Sequence, residues 1–196
     1  MSKAVLISIR PKWCQKIASG EKTIEVRKTR PNLETPFKCY IYRTKGTVPH
    51  IINDKWWQMK VGGTVIGEFT CDRIYKIDKD SVDFIFTCDH GGYPVYKKAA
   101  EECCGLCVAM PDNEFFDYLG HRQAYGWHIS DLKIYDTPKE LGEFWFPPEK
   151  YCEKELCGDC PYDQVADVNG EYEFDCEWRR PLNRPPQSWC YVEEQK

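Results

Sequence analysis

Eight consecutive residues near the start of the chain, Gly20-Glu21-Lys22-Thr23-Ile24-Glu25-Val26-Arg27, carry the groups best suited to chemistry. A lysine ammonium supplies charge for a phosphate or a proton for a leaving group. An arginine guanidinium is a planar fork that fits phosphate. A carboxylate acts as a general base, or accepts from an exocyclic amine as carboxylates do with N4 of cytosine. The spacing sets a condition on their cooperation. In one regular strand over 22–27, Lys22, Ile24 and Val26 would share a face opposite Glu25 and Arg27. Lys22 and Glu25 converge only if Lys22 lies in the turn before the strand proper. Failing that, the segment is a surface Glu25–Arg27 pair with a solvated Lys22.

Further basic groups flank the motif: Lys12 before it, Lys28 and Arg30 after it, with Trp13 among them. Charge interleaved with a ring is what a single-stranded nucleic-acid groove uses, the charge for the backbone and the ring for a base. Trp13 serves equally as a core residue of its helix. The neighbouring Trp56 and Trp57 read as one buried ring and one covering a rim rather than as a stacking pair.

The chain has 12 cysteines. Its N-terminus lacks the long apolar core and small-residue cleavage site of a secretory signal, so reduced thiols in a cytoplasmic protein are expected, and metal before disulfides. Cys152, Cys157, Cys160 and Cys176 supply four thiols within 25 residues. The Cys157-Gly158-Asp159-Cys160 turn can curl around a metal, and four thiolates leave zinc no open position, which makes a structural site the expectation. Cys88, His90, Cys103, Cys104 and Cys107 form a second, looser set for which buried free cysteines are the preferred reading.

Local signals then place these residues on elements. Val5–Ile9 reads as a strand, Pro11 opens a short helix through Ser19, and Gly20 caps it. Thr23–Arg27 and Phe37–Arg43 have strand character. Val61-Gly62-Gly63 is a turn into a long strand or hairpin over 64–77, with a bulge or bend at Gly67. Residues 94–119 read as two helical segments, the second N-capped by Asp112. Gly126–Tyr135 is expected as one strand, Pro138–Phe144 as a short helix, and Ser188–Val192 as the closing strand. The expected class is α+β, a small curled β-barrel with attached helices.

With its strand–Pro–helix lead-in over Leu6–Ala18 and the later strand at Trp127-His128-Ile129, the G-x-K-x-x-E-x-R motif resembles the ASCH domain family of the PUA-like superfamily, in a bacterial or phage form with a Cys-rich C-terminal insertion. The resemblance spans roughly residues 4–135 and the last strand. It implies a PUA-like barrel over 1–144 plus 187–196, decorated by a zinc-knuckle-like insertion over 145–186. It also implies a cleft lined by the motif that meets RNA or a modified nucleobase or nucleoside, with Lys12, Trp13, Lys22, Glu25, Arg27, Lys28 and Arg30 as ligand-binding residues. Some members are amidohydrolases acting on acylated cytidine, and others are linked to RNA binding or cleavage. Hydrolysis is therefore the alternative, with Lys22 and Glu25 as acid–base groups. The amidohydrolase members carry a catalytic Thr at the position of Glu25; here Thr23 is the nearby hydroxyl, and Glu101 and Glu102 are nearby carboxylates for a later catalytic Glu. A third reading is a docking module for a protein partner through the zinc insertion.

Composition bounds these readings. The 196 residues, 42% of them hydrophobic, suit one domain with an insertion and exclude wholesale disorder. No apolar run approaches a membrane span. The net charge of −4 conceals a division: residues 1–60 hold 13 Lys/Arg against 4 Asp/Glu, and residues 61–196 hold 14 against 27. Charge segregated in this way either builds a positive face that steers anionic partners or is a scatter of solvated lysines. No Ser-His-Asp, H-E-x-x-H or phosphate-cradling G-x-x-x-x-G-K arrangement is visible, which weighs against serine hydrolases, metalloproteases and P-loop NTPases. Arg179, Arg180 and Arg184 belong either to a proline-stiffened connector back from the insertion, the preferred reading, or to an arm that borders the same cleft as Lys22.

Overall fold

The structure is a computed structural model that describes residues 2–52, 55–79, 84–88, 95–98, 105–120, 122–147 and 180–195. The strands are β1 (Lys3–Ile9), β2 (Ile24–Arg27), β3 (Phe37–Arg43), β4 (Gly46–Ile52), β5 (Lys55–Val61), β6 (Thr64–Cys71), β7 (Ile74–Lys79), β8 (Phe84–Cys88), β9 (Val95–Tyr96), β10 (Ala124–His128), β11 (Ser130–Lys139) and β12 (Trp189–Glu193). Two α-helices, α1 (Pro11–Ala18) and α2 (Asp112–Leu119), and a 3₁₀ turn at Leu141–Glu143 complete the described elements.

Hydrogen bonding divides the strands into a first sheet, β11-β6-β3-β1-β12, a second sheet, β2-β10-β7-β8-β9, and a β4-β5 ribbon. The expected barrel is thus two five-stranded sheets, and no closed barrel forms among the described strands. Most pairs are antiparallel, but β1 and β3 run parallel, with Val5 opposite Cys39 and Ile9 opposite Arg43. The closing strand pairs with the opening one, Lys3 opposite Glu193 through Ile7 opposite Trp189.

Alternation along the strands sorts the apolar residues into three cores. Val5, Ile7, Ile9, Cys39, Ile41 and Phe69 meet Trp13, Cys14 and Ile17 of α1 and reach Ile74 and Trp127 of the second sheet. The other face of the first sheet presents Leu6, Tyr40, Tyr42, Val65 and Val192 to Phe144 and Leu182. The other face of the second sheet packs Ile24, Val26, Ile77 and Ala124 against Phe115 and Leu119 of α2. The middle core therefore lies between the sheets, and burying its large side chains is the dominant favourable term for their association.

Several local expectations hold. Helix α1 starts with Pro11 and ends before Gly20, whose φ of +76° is the left-handed conformation glycine adopts cheaply. Gly67 marks a bulge: β3–β6 pairing shifts between Ile41 and Tyr42, and a Cβ at Gly67 would stand 2.4 Å from the carbonyl oxygen of Lys133 on β11.

Others are corrected. The expected strand over Gly126–Tyr135 is two, because β10 belongs to the second sheet and β11 to the first, with Ile129 at the crossing. Pro138 and Lys139 extend β11 instead of opening a helix, which leaves only the three-residue 3₁₀ turn. Asp112 is the first helical residue of α2 and not its cap; Pro111 occupies the cap position, and the Asp112 carboxylate takes the Lys97 ammonium at 2.5 Å. In the expected first helical segment, Val95–Tyr96 is a strand paired with β8. Cys152, Cys157, Cys160 and Cys176, with most of the 145–186 insertion, lie outside the described residues, as do His90, Cys103, Cys104 and Arg179. No described helix is long and apolar enough to cross a membrane.

Candidate functional site

Strand β2 begins at Ile24, so Lys22 and Thr23 belong to the turn that leaves Gly20. This is the condition under which Lys22 can join the Glu25 face, and it does. The Lys22 ammonium lies 3.5 Å from Glu25 Oε2, and Arg27 Nη2 lies 3.0 Å from Glu25 Oε1. The three side chains form one buried chain of charge, with side-chain exposures of 1%, 8% and 10%. A surface pair with a solvated lysine is thereby overturned.

Each end of the chain is anchored to backbone. Lys22 Nζ donates to the carbonyl of Val108 at 2.7 Å. Arg27 Nη2 donates to the carbonyl of Ser8 on β1 at 2.6 Å, and Nη1 makes a longer contact of 3.4 Å with Ser188 Oγ. Arg27 therefore ties β2 to the opening strand and to the segment that precedes the closing one. Burial holds the Lys22 ammonium below its ordinary pKa, while the Glu25 carboxylate acts in the opposite sense.

The neighbours of this chain of charge were hidden from local sequence reading. Trp127 lies directly opposite Glu25 in the β10–β2 register and Tyr125 opposite Arg27, on the same face. Arg43 ends β3 opposite Ile9, on the side of the first sheet that faces the middle core. Its charge, with those of Glu25 and Arg27, bears on the buried Cys14 thiol, which burial and then Glu25 push up to about 12. Three buried donors here have no hydrogen-bond partner among the described residues: Arg27 Nε, Arg43 Nε and Trp127 Nε1. Buried donors are nearly always satisfied, so three together on the facing surfaces of two sheets mark a place short of acceptors. Lys22 and Arg27 flank the one carboxylate, and Arg43 stands near enough for its charge to bear, with theirs, on Cys14.

The remaining expected site residues are placed differently. Trp13 is a core residue of α1 at 9% exposure, its ring flanked by the Lys12 ammonium at 4.4 Å and the Lys22 ammonium at 5.4 Å from its centroid. Lys12 is exposed and paired with Glu114 of α2 at 2.6 Å. Lys28 is exposed, its ammonium 5.1 Å from the centre of the Tyr118 ring, and Arg30 is also exposed. Thr23 does not turn its hydroxyl to Lys22; Oγ1 donates to the Gly105 carbonyl and accepts from the Cys107 amide, both at 2.8 Å. Arg180 and Arg184 do not border the Lys22 site. They line a groove of about 490 Å³ with Phe146 and Cys190, on the side of the first sheet away from the middle core. Of that arm, Ser188 alone contacts Arg27 among the described residues.

His128 has a structural place. Its Nδ1 lies 2.6 Å from Asp72 Oδ1. Asp72 sits where the chain passes from β6 to β7, and His128 ends β10 just before the passage to β11. The pair ties together two crossings between the sheets. No group of three or more metal-binding side chains occurs among the described residues.

Comparison with known proteins bears on the fold. No family model matches the sequence, and no curated protein matches it. Solved structures do match. The ASCH protein of Zymomonas mobilis superposes with a TM-score of 0.52 at 17% identity, over 97% of this chain and 88% of that one. A tyrosine-to-phenylalanine mutant of that protein gives 0.51 at 17% identity, over 98% and 92%, and a serine-to-alanine mutant gives 0.52 at 17% identity, over 97% and 89%. At this identity the likeness speaks for the fold alone. One mixed and one antiparallel sheet with two helices, matched over nearly the whole length of both chains, give this protein an ASCH-like fold.

Proposed function

We propose that the protein binds RNA, or a nucleobase or nucleoside, at the site built from Lys22, Glu25 and Arg27. The observation that carries this reading is the surplus of buried donors around a single carboxylate. Among the described residues Arg27 Nε, Arg43 Nε and Trp127 Nε1 lack acceptors, and nucleic-acid components supply acceptors as base carbonyl oxygens, ring nitrogens and phosphate oxygens. Glu25 accepts from an exocyclic amine while Arg27 donates beside it, so the pair discriminates a base by its edge. Glu25 and Arg27 keep the residual exposure and Lys22 almost none. A ligand therefore meets the carboxylate and guanidinium first, with Lys22 supplying charge from behind. Lys12, Lys28 and Arg30 belong to the approach and not to the buried site.

A second reading is favoured by one observation: Lys22 and Glu25 are 3.5 Å apart, and burial lowers the pKa of the amine. That is an acid–base pair suited to hydrolysis of a nucleoside amide or of RNA. A structural zinc at Cys152, Cys157, Cys160 and Cys176 is a separate proposal, decided by metal analysis of the purified protein.

Incubation of the protein with acylated and unmodified nucleosides and with a short RNA, read by binding and by mass spectrometry, tests both readings. Binding without product that weakens about tenfold in Lys22→Met or Arg27→Lys supports the first, since a removed charge or fork is worth about one to three kcal/mol. A product made by the parent protein and not by Lys22→Met establishes the second. Neither binding nor product, with a folded protein, overturns both.

A further inference from the structure

The Lys22 ammonium is placed by a segment that has no secondary structure of its own. Gly105–Pro111 runs across the turn carrying Lys22 and Thr23 and into α2. Three consecutive carbonyls of this strap each take a lysine: Val108 takes Lys22 at 2.7 Å, Ala109 takes Lys16 at 3.3 Å, and Met110 takes Lys97 at 3.2 Å. Leu106 and Val108 are buried against the core beneath α2. Ala109 has a φ of +50°, a conformation that a non-glycine residue holds only when its surroundings fix it.

What fixes the strap at its start is Thr23. The Cys107 carbonyl accepts the amides of Thr23 at 2.9 Å and Ile24 at 3.0 Å. The Thr23 hydroxyl clasps the other side, donating to Gly105 and accepting from the Cys107 amide. Donor and acceptor of one hydroxyl are both used, on groups two residues apart, immediately before the carbonyl that holds Lys22. The Lys22 amide donates to the Lys16 carbonyl of α1, and the Ile129 amide donates to the Thr23 carbonyl, which joins the turn to the crossing between sheets.

We infer that Thr23 is a positioning residue: it latches the Gly105–Pro111 strap so that the Val108 carbonyl holds the Lys22 ammonium beside Glu25. The inference rests on the proposed ligand reading only in taking Lys22 as the group that the site needs placed. Thr23→Val keeps the shape and removes both side-chain hydrogen bonds, whereas Thr23→Ser keeps both. Freed from the latch, the strap opens and water reaches Lys22.

The test is acetylation of the free protein by an N-hydroxysuccinimide ester, with Lys22 quantified against the exposed Lys12 by peptide mass spectrometry. Lys22 labels about tenfold faster in Thr23→Val than in the parent, and at the parental rate in Thr23→Ser. Unchanged labelling in a folded Thr23→Val overturns the inference. Should the valine variant not fold, hydrogen exchange of the parent decides: the Cys107 amide exchanges slowly if it is latched, and exchange at the rate of an unstructured peptide overturns the latch. A titration of short RNA on the same samples separates this idea from the ligand reading. Loss of binding in Lys22→Met but not in a folded Thr23→Val overturns the positioning role alone, and no loss in Lys22→Met overturns the ligand reading while the labelling still judges the latch.

Discussion

Lys22 is a cation held where a cation is expensive. Its Nζ has two compensations, the Val108 carbonyl and Glu25, and Glu25 is shared with Arg27. Desolvation outweighs them, so the folded-state pKa falls below the ordinary 10.5. The direction has a sign in stability. Between the lowered folded value and 10.5, the unfolded chain binds more protons than the folded one, so this residue makes stability rise with pH across that window. Cys14 and Cys71, with thiols raised from 9.0 to about 12, act oppositely, since above pH 9.0 the unfolded thiols lose protons that the folded ones keep. The two effects separate by difference. Urea denaturation of the parent and of Lys22→Met, measured over a series of alkaline pH values, shows the parent gaining stability relative to the variant as pH rises towards 10.5. Parallel curves would mean that Lys22 is hydrated in the folded protein. At this scale the sequence was informative about which side chains matter and silent about their neighbours. The condition on Lys22 could be written down from strand geometry alone, because it concerns four adjacent residues. Arg43, Trp127 and Ser188 could not be found that way, since they reach the site from β3, β10 and the segment before β12.

Among the elements, the legible ones were those whose signals are local. Pro11 and Gly20 bracket α1 because both act through their own backbone angles. Phe37–Arg43 reads as a strand from its residue types and is one. Gly67 is a third case, and it supports a prediction. Alanine there would drive a Cβ to 2.4 Å from the Lys133 carbonyl and 3.1 Å from Ile134, so β11 must move away from β6 at the bulge. Gly67→Ala lowers stability by about 2 kcal/mol, as overpacking against backbone does, and thermal denaturation measures it. An unchanged melting temperature would show that β11 yields freely. Elements set by long-range pairing were misread for the corresponding reason. Gly126–Tyr135 alternates like one strand, yet its halves find partners in different sheets, β7 and β2 on one side and β6 on the other. Pro138 looks like a helix start until β6 holds the residues around it extended, with Lys139 opposite Val65. The strap over 105–111 has no periodicity to read, since side chains and backbone amides of other elements take its carbonyls.

Over the whole molecule, charge and topology agree. Ten of the 13 Lys and Arg in residues 1–60 fall in β1, α1, β2 and β3 and the turns between them, and Lys22, Arg27 and Arg43 all belong to that stretch. The parallel β1–β3 pair and the Arg27–Ser8 bond bring these segments together around the face between the sheets. Among the described residues, the acidic remainder of the chain contributes no carboxylate to the Lys22–Glu25–Arg27 ion pairs. A molecule of net charge −4 thereby holds a local positive centre, the charge that the proposed ligand reading requires. The ASCH-like fold is the frame that makes this arrangement, and the sequence resemblance pointed to it through a motif whose flanking strand and helix could be read locally. That the described strands form two sheets and not the expected closed barrel was not legible, because strand count and order do not say which edges join.

If the donor surplus between the sheets receives nucleic acid, RNA affinity falls with salt and depends on the cations beside that surplus. Fluorescence anisotropy of a labelled single-stranded RNA would be measured from low to physiological salt for the parent and for Arg43→Gln, which removes a cation of partial exposure. The parent should lose affinity linearly in log–log form, and the variant should bind less tightly with a slope shallower by about 0.7, the value for one lost phosphate contact on a single strand. Affinity independent of salt and identical in the two proteins would contradict the account.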